Sequence, residues 1–394
     1  MKRVVDEDED ENEDNDKIDS KNGNKNIWLL GTSSLFNDAG SDTITAILPF
    51  FITALGGNGA AVGALSGLRE GLASLFKLLG GWYSDRIGKR MPFVFFGYLV
   101  STIFRFLIAL SISWQYVITF VSIERIGKTR DAPRDAIIAT STQNRGRGFA
   151  IHQMMDTVGG IIGASLALLF FWKFSMDFSK IIIFAGIISS LSLIPLFFVK
   201  ENKFRSKKFN LFTGIKDLSK KLKYLVFVIA IFALADFGLY MFIILRAKEL
   251  TGSIIIALML GILFNLTCAL FAMPFGNLSD KVGRKKVLLA GIVLFTIVSL
   301  GFVYAQTLLL LIPLFIFYGL SRSMTLGIQK AFVSDFAGEM KGTAMGFYYF
   351  VIGLVNIAGG VIAGLLWDIK PSIMFSYLVG IALLSIVFMM FVKE

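Results

Sequence analysis

The chain is poor in the residues that carry most site chemistry. It has one cysteine, Cys268, and one histidine, His152. A lone thiol forms no intramolecular disulfide, and one Cys with one His makes no metal-ligating cluster. Only seven prolines interrupt 394 residues, and only 17% of the chain is charged, against about 25% in an ordinary soluble domain. Neither a G-x-S-x-G elbow nor a G-x-x-x-x-G-K-[ST] phosphate loop occurs, so the common routes to hydrolysis and ATP use are missing. No nucleophile–base pairing or metal set is visible. The expectation is a protein that is not an enzyme and that uses no cofactor.

Apolar residues fill the space. They make up 55% of the chain, with 39 phenylalanines among them. A helix crosses a bilayer with about 20 mostly apolar residues. Twelve such spans can be drawn, from 27–53 to 372–392. The fold class expected is an all-α membrane protein with twelve transmembrane helices in two six-helix halves. Residues 1–26 hold ten acids and five bases, too little apolar material to fold alone, and read as a disordered acidic tail. Residues 27–199 and 224–394 are the two halves, joined by a basic link at 200–223.

Net charge is +11, but the bases are not a nucleic-acid surface. They sit in the links after even-numbered spans, at 83–91, 139–147, 200–223, 276–286 and 334–342. By the positive-inside rule those links and both termini are cytoplasmic, which makes this a multi-pass protein of the cell membrane. The partners expected are the lipid bilayer, a small-molecule substrate and protons; the chain is expected to be a monomer.

One polar turn is written twice. "GGWYSDRIGKR" at 80–90 returns as "FGNLSDKVGRKK" at 275–286. Gly81, Ser84, Asp85 and Gly88 align with Gly276, Ser279, Asp280 and Gly283, and Arg86, Lys89 and Arg90 with Lys281, Arg284 and Lys285. A weaker echo joins 145–172 to 341–368. Two parallel six-span halves are a transporter architecture. These turns, with the basic middle link, resemble the major facilitator superfamily over residues 27–392, whose signature turn is G-x-x-x-D-[RK]-x-G-[RK]-[RK]. More narrowly, "ERIGKTRDAPRDAIIATS" and "RGRGFAIHQMMDTVGG" resemble a prokaryotic branch of uncharacterised or presumed efflux permeases. The resemblance implies alternating access and a role for the two turns as a cytoplasmic gate, Gly88 and Gly283 taking positive φ and Asp85 and Asp280 facing a helix N-terminus or an Arg of the other half.

Charges inside the spans cost about 2.5–3.5 kcal/mol each on insertion scales, so each is a functional candidate. Asp38 and Asp42 lie four apart on the first span and share a face. Two carboxylates so close in a low dielectric resist being ionised together, as a proton-coupling site requires. Glu70 and Asp156 join them as proton or substrate candidates; His152, four before Asp156, is a possible relay. Arg69, Arg105, Glu124, Arg125, Lys128, Asp236 and Arg322 are expected as cavity charges, with Lys77, Arg130, Asp131, Arg134 and Asp135 in the same spans. In the resembling family an Arg of the fourth span is tied to proton coupling, and Arg125 is the nearest match. Pro133 is expected to kink that span. Tyr240, Tyr318, Tyr348 and Tyr349 are expected near the cavity. A drug–proton antiporter of that family usually has a Pro after its fifth-helix glycines; here Ala164 stands there. The sequence therefore favours proton-coupled export of a small organic solute. The alternatives are uptake of an organic anion held by Arg69, Arg105 and Arg125, and a non-transporting sensor or assembly protein.

Overall fold

The protein is described by a computed structural model covering residues 2–142, 145–201, 215–337 and 341–392, without the side chains of 2–24, 145, 146 and 341. The side chains of the acidic tail up to residue 24 and most of the basic link at 200–223 thus lie outside the described residues. Every regular element among the described residues is helical: α1 (Lys2–Ala54), α2 (Gly59–Ile87), α3 (Met91–Ala109), α4 (Trp114–Glu124), a 3-10 turn (Arg125–Arg130), α5 (Asp131–Thr140), α6 (Arg145–Trp172), α7 (Phe178–Ser190) and α8 (Leu193–Leu196) form the first half. The second half is α9 (Lys220–Asp236), α10 (Tyr240–Thr251), α11 (Ile254–Val282), α12 (Arg284–Tyr304), α13 (Leu308–Asp335), α14 (Lys341–Ile369) and α15 (Pro371–Met390).

These helices fall into twelve rods, because three rods are broken in the middle: α4 with α5, α7 with α8, and α9 with α10. Nine helical segments of the described residues are long and apolar enough to cross a bilayer. Three rods are not among them: α1, the fourth rod, which a charged 3-10 turn splits, and α2, which carries Arg69, Glu70, Lys77 and Asp85.

Pro133 does not kink its helix where it stands. It lies in the first turn of α5, and the break precedes it as the 3-10 turn from Arg125 to Arg130. Proline offers no N–H to the carbonyl four residues back and clashes with it, so the disturbance is displaced toward Thr129. The seventh rod breaks at Phe237–Leu239, where Gly238 has φ +107° and its carbonyl accepts a 2.7 Å hydrogen bond from Ser66 of the first half.

The repeated turn repeats its hydrogen bonds too. Ser84 Oγ donates to the Gly81 carbonyl at 3.0 Å and Ser279 Oγ to Gly276 at 2.7 Å. Gly88 N–H closes α2 on the Ser84 carbonyl, and Gly283 N–H closes α11 on Ser279. Gly88 (φ +76°) and Gly283 (φ +104°) both need the freedom that only glycine has at low cost. Two of the four identities, Ser84 with Ser279 and Gly88 with Gly283, therefore have a local structural cause. Asp85 with Asp280 is the charged pair this hydrogen bonding leaves over.

The halves meet most closely along α2 and α14. Gly59, Gly63, Gly67 and Gly71 recur at every fourth position of α2 and so form one stripe. Backbone of α14 lies against it: a Cβ on Gly67 would stand 2.6 Å from the Asn356 carbonyl, and one on Gly71 2.5 Å from that of Gly353. Small-residue stripes let membrane helices approach by van der Waals contact where no hydrophobic effect drives them together. A Cβ at Gly63 would collide with the Gly360 carbonyl, which is backbone and cannot swing away. Gly63→Ala is expected to cost about 1–3 kcal/mol, read as a lower thermal midpoint in detergent. Gly380→Ala, inside α15 with nothing within 4 Å, is the control that should leave the midpoint the same or slightly higher, since alanine favours a helix over glycine.

Candidate functional site

A cavity of about 850 Å3 lies between the halves. Asp38, Asp42, Gln153, Asp156 and Thr157 wall it from α1 and α6; Asn265, Cys268, Arg322, Ser323 and Lys330 wall it from α11 and α13. Its lining continues down α11 to Gly276, Asp280 and Arg284 of the second repeated turn, while no lining residue comes from the end turns on the other face. The cavity is therefore open toward the face that carries the repeated turns and shut toward the opposite one.

The acidic wall is positioned by helix packing. Asn37 and Thr43 flank the pair on α1; Thr43 Oγ1 donates to the Gly163 carbonyl at 2.9 Å, clamping α1 to α6. Gly160 leaves the space that the Asp42 carboxylate fills, since a Cβ there would stand 2.6 Å from Asp42 Oδ2. Asn37 Nδ2 donates to Asp38 Oδ1 at 2.8 Å. Among the described residues no Lys or Arg pairs with Asp38 or Asp42 within 4 Å. Asp156 accepts from His152 at 3.3 Å, so the expected relay pair does exist as a contact.

Most of the expected cavity charges are elsewhere. Arg69, Arg105, Glu124 and Arg125 do not line the cavity; they lie behind α1, within the first half, around a separate void of about 10 Å3. Glu124 accepts from Arg105 Nη2 at 3.2 Å through one oxygen and from Arg125 Nε at 2.5 Å through the other. Arg105 also donates to the Asn37 carbonyl at 3.1 Å and Ser189 Oγ at 2.5 Å, and Arg69 to Thr45. Lys128 is likewise away from the cavity. It shares Asp131 with Lys77, at 3.7 and 3.0 Å. Arg130 is held by Ser101 at 2.9 Å and by the ring of Tyr98, 4.4 Å away. The physical reason is pairing: a buried charge of one sign is held where the opposite sign is, and in this half the acids that meet the arginines sit on the fourth rod rather than on the cavity wall.

In the second half Asp236 is paired with Arg322 and accepts from Tyr318 at 3.3 Å. Arg322 reaches the cavity, Asp236 does not. Glu70 lies beside Gly238, at the junction of the halves, and not on the cavity wall. None of Tyr240, Tyr318, Tyr348 and Tyr349 lines the cavity either. Tyr318 stacks on Phe264 and Tyr348 donates to Gln329. Lys330 is a wall residue the sequence reading missed; its ammonium stands 6.0 Å from the Tyr349 ring. The signal was available in "GIQKAF", a base one turn inside the end of an apolar span.

The gate residues pair within their own halves. Asp85 meets Arg90 at 3.6 Å, and Arg86 lies over Trp82, 5.5 Å from its ring, rather than against an acid. Arg284 meets Asp280 at 2.5 Å and Asp335 at 3.2 Å. Contact from either turn to a base of the other half is not found among the described residues, as fits a face where the cavity stands open.

Comparison with known proteins agrees with this architecture. The Major Facilitator Superfamily profile matches residues 30–261 and 225–394. An uncharacterized MFS-type transporter of Methanocaldococcus jannaschii is 44% identical over 378 residues, 93% of this chain and 95% of its own. The multidrug resistance protein MdtH of Proteus mirabilis is 24% identical, over 82% of each chain. Among solved structures, the nucleoside transporter NupG superposes with a TM-score of 0.80 at 14% identity, covering 93% of this chain and all of its own. A bacterial homologue of the lysosomal transporter Spinster superposes with a TM-score of 0.75 at 14% identity, covering 93% and 96%.

Proposed function

Because the chain belongs to the Major Facilitator Superfamily and is a multi-pass membrane transporter rather than an enzyme, we propose that it exports a small organic solute across the cell membrane in exchange for protons. The face with the repeated turns is then cytoplasmic. The observation that carries the coupling is the pair Asp38 and Asp42 on the cavity wall, four residues apart and unpaired by any base among the described residues. An unpaired carboxylate at the middle of a bilayer is costly as an anion. It is relieved by a proton or by a cationic group of the solute, and those two compete for the same oxygens. Competition of that kind is how one site exchanges one for the other. The multidrug names of relatives such as MdtH support export. The anion-uptake alternative loses its clamp, since Arg69, Arg105 and Arg125 are engaged by Thr45 and Glu124 behind α1.

The gate motifs act, in this reading, by closing on the cytoplasmic side when the cavity opens outward. Asp85 and Asp280 would then exchange their own-half arginines for partners across the interface. Purified protein reconstituted into vesicles is the test. A panel of organic cations and neutral drugs is first screened for thermal stabilisation. A solute at 100 times its dissociation constant adds about 2.7 kcal/mol. A hit should then accumulate in vesicles whose lumen is acid, and collapse of the pH gradient should stop it. Accumulation indifferent to the gradient would remove proton coupling from the proposal.

A further inference from the structure

On the face opposite the cavity mouth a side chain of the second half caps a helix of the first. Asp368, at the end of α14 in the second half, accepts from the Gly59 N–H through Oδ1 at 2.6 Å and from the Ala60 N–H through Oδ2 at 2.9 Å. These are the first amides of α2, in the first half. Asn58 Oδ1 takes the third, Ala61 N–H, at 3.1 Å. The start of a helix leaves its first amides without intrahelical partners and carries the positive end of the helix dipole. A carboxylate bound to two of them is the charge-assisted form of that cap. Other rods are closed from within their own half: α11 by Ser253 and α9 by Ser219. Even the comparable carboxylate at the start of α3, Glu201, which accepts from Arg90 N and Met91 N at 2.6 and 3.0 Å, is joined to the first half by its own chain.

We propose that Asp368 is the latch of the closed opposite face. Its carboxylate completes the α2 N-terminus only while α14 and α2 touch at that end, so it biases the transporter toward the state whose cavity opens on the repeated-turn face. Opening the opposite face pulls the carboxylate off two amides and exposes both to water. Gly59 is the matching half of the latch. A Cβ there would stand 2.6 Å from Asp368 Oδ1 and 2.5 Å from Trp367 Cδ1. The inference rests on the alternating-access reading above and names a positioning residue for it.

The chain supplies its own reporter. Cys268 is its single cysteine and lies on the cavity wall. A membrane-impermeant maleimide applied to either side of sealed, oriented vesicles therefore reports which face is open. Wild type should label from the repeated-turn side. Asp368→Ala is expected to raise labelling from the other side about tenfold, the equivalent of roughly 1.4 kcal/mol, while labelling from the repeated-turn side slows only slightly, because that state stays the major one. Gly59→Ala, which keeps the carboxylate but displaces it, should do the same, and Asp368→Glu should lie between. Gly63→Ala, which wedges the same seam without touching the latch, separates the two possible failures. If it opens the far side while Asp368→Ala and Gly59→Ala label as wild type does, the latch is wrong and alternation stands. If no variant labels from the far side, alternation and latch both fall.

Discussion

Glu124→Ala is expected to cost the fold about 3–5 kcal/mol and to leave little intact protein in the membrane fraction. Glu124 is 3% exposed, Arg105 2% and Arg125 6%. The carboxylate is the one acid that both guanidiniums touch. Its removal leaves two buried positive charges facing each other, with Arg69 beside them around the same void. A native protein has only about 5–15 kcal/mol in hand, so a loss of that size is close to unfolding. Glu124→Gln keeps the shape and one acceptor oxygen and should fall between. The contrast is Glu249→Ala. Glu249 pairs with Arg246 at 3.2 Å but its side chain is 42% exposed, and such a pair contributes about 0.2–1 kcal/mol. Thermal unfolding in detergent, with the yield of monodisperse protein, reads all three. Glu124→Ala within 1 kcal/mol of wild type would mean that apolar packing rather than charge pairing holds the third and fourth rods together.

Asp42→Asn is expected to bring gradient-driven solute accumulation down to the level of empty vesicles while the protein still folds. The change is nearly isosteric. It removes one of two neighbouring carboxylates and leaves no base stranded, because none pairs with Asp42 among the described residues. Folding should therefore be unaffected or improved, since like charges close together in a low dielectric oppose each other. Transport fails for a different reason: an amide neither takes up nor releases a proton. Solute binding, read as thermal stabilisation, should lose its dependence on pH. Asp38→Asn should act in the same direction. Asp156 has His152 as a neighbour, so Asp156→Asn should weaken transport less. Full gradient-driven accumulation by Asp42→Asn would move the coupling proton to another carboxylate, with Glu70 next in line at the junction of the halves.

The sequence carried the architecture because the bilayer imposes it. Backbone polar groups in hydrocarbon must be satisfied within the helix, so apolar runs of spanning length have one outcome. The repeated turns carried the pseudo-symmetry, and their glycines the positive φ, for reasons local to about ten residues. The pairing of Asp38 and Asp42 on one face needed only helical spacing. What the sequence did not carry is which wall a charge faces. Arg69, Arg105 and Arg125 read as cavity residues because every buried charge in an apolar span looks alike. Their place behind α1 is decided by Glu124, Thr45 and Ser189, partners brought together from different rods. The glycine stripe at 59–71 was legible as a four-residue period, but its partner helix was not. Asp368 carries no signal in the sequence beyond its place at the end of the 341–368 echo. Its meaning depends on the α2 N-terminus, more than 300 positions earlier, and only the packed halves bring the two within a hydrogen bond. Composition and local geometry thus determined that this chain crosses the membrane as two related bundles. The rotation of each rod about its axis, fixed by which distant side chains satisfy its buried charges, was decided in the tertiary structure, because periodicity in an all-apolar helix has no face to mark.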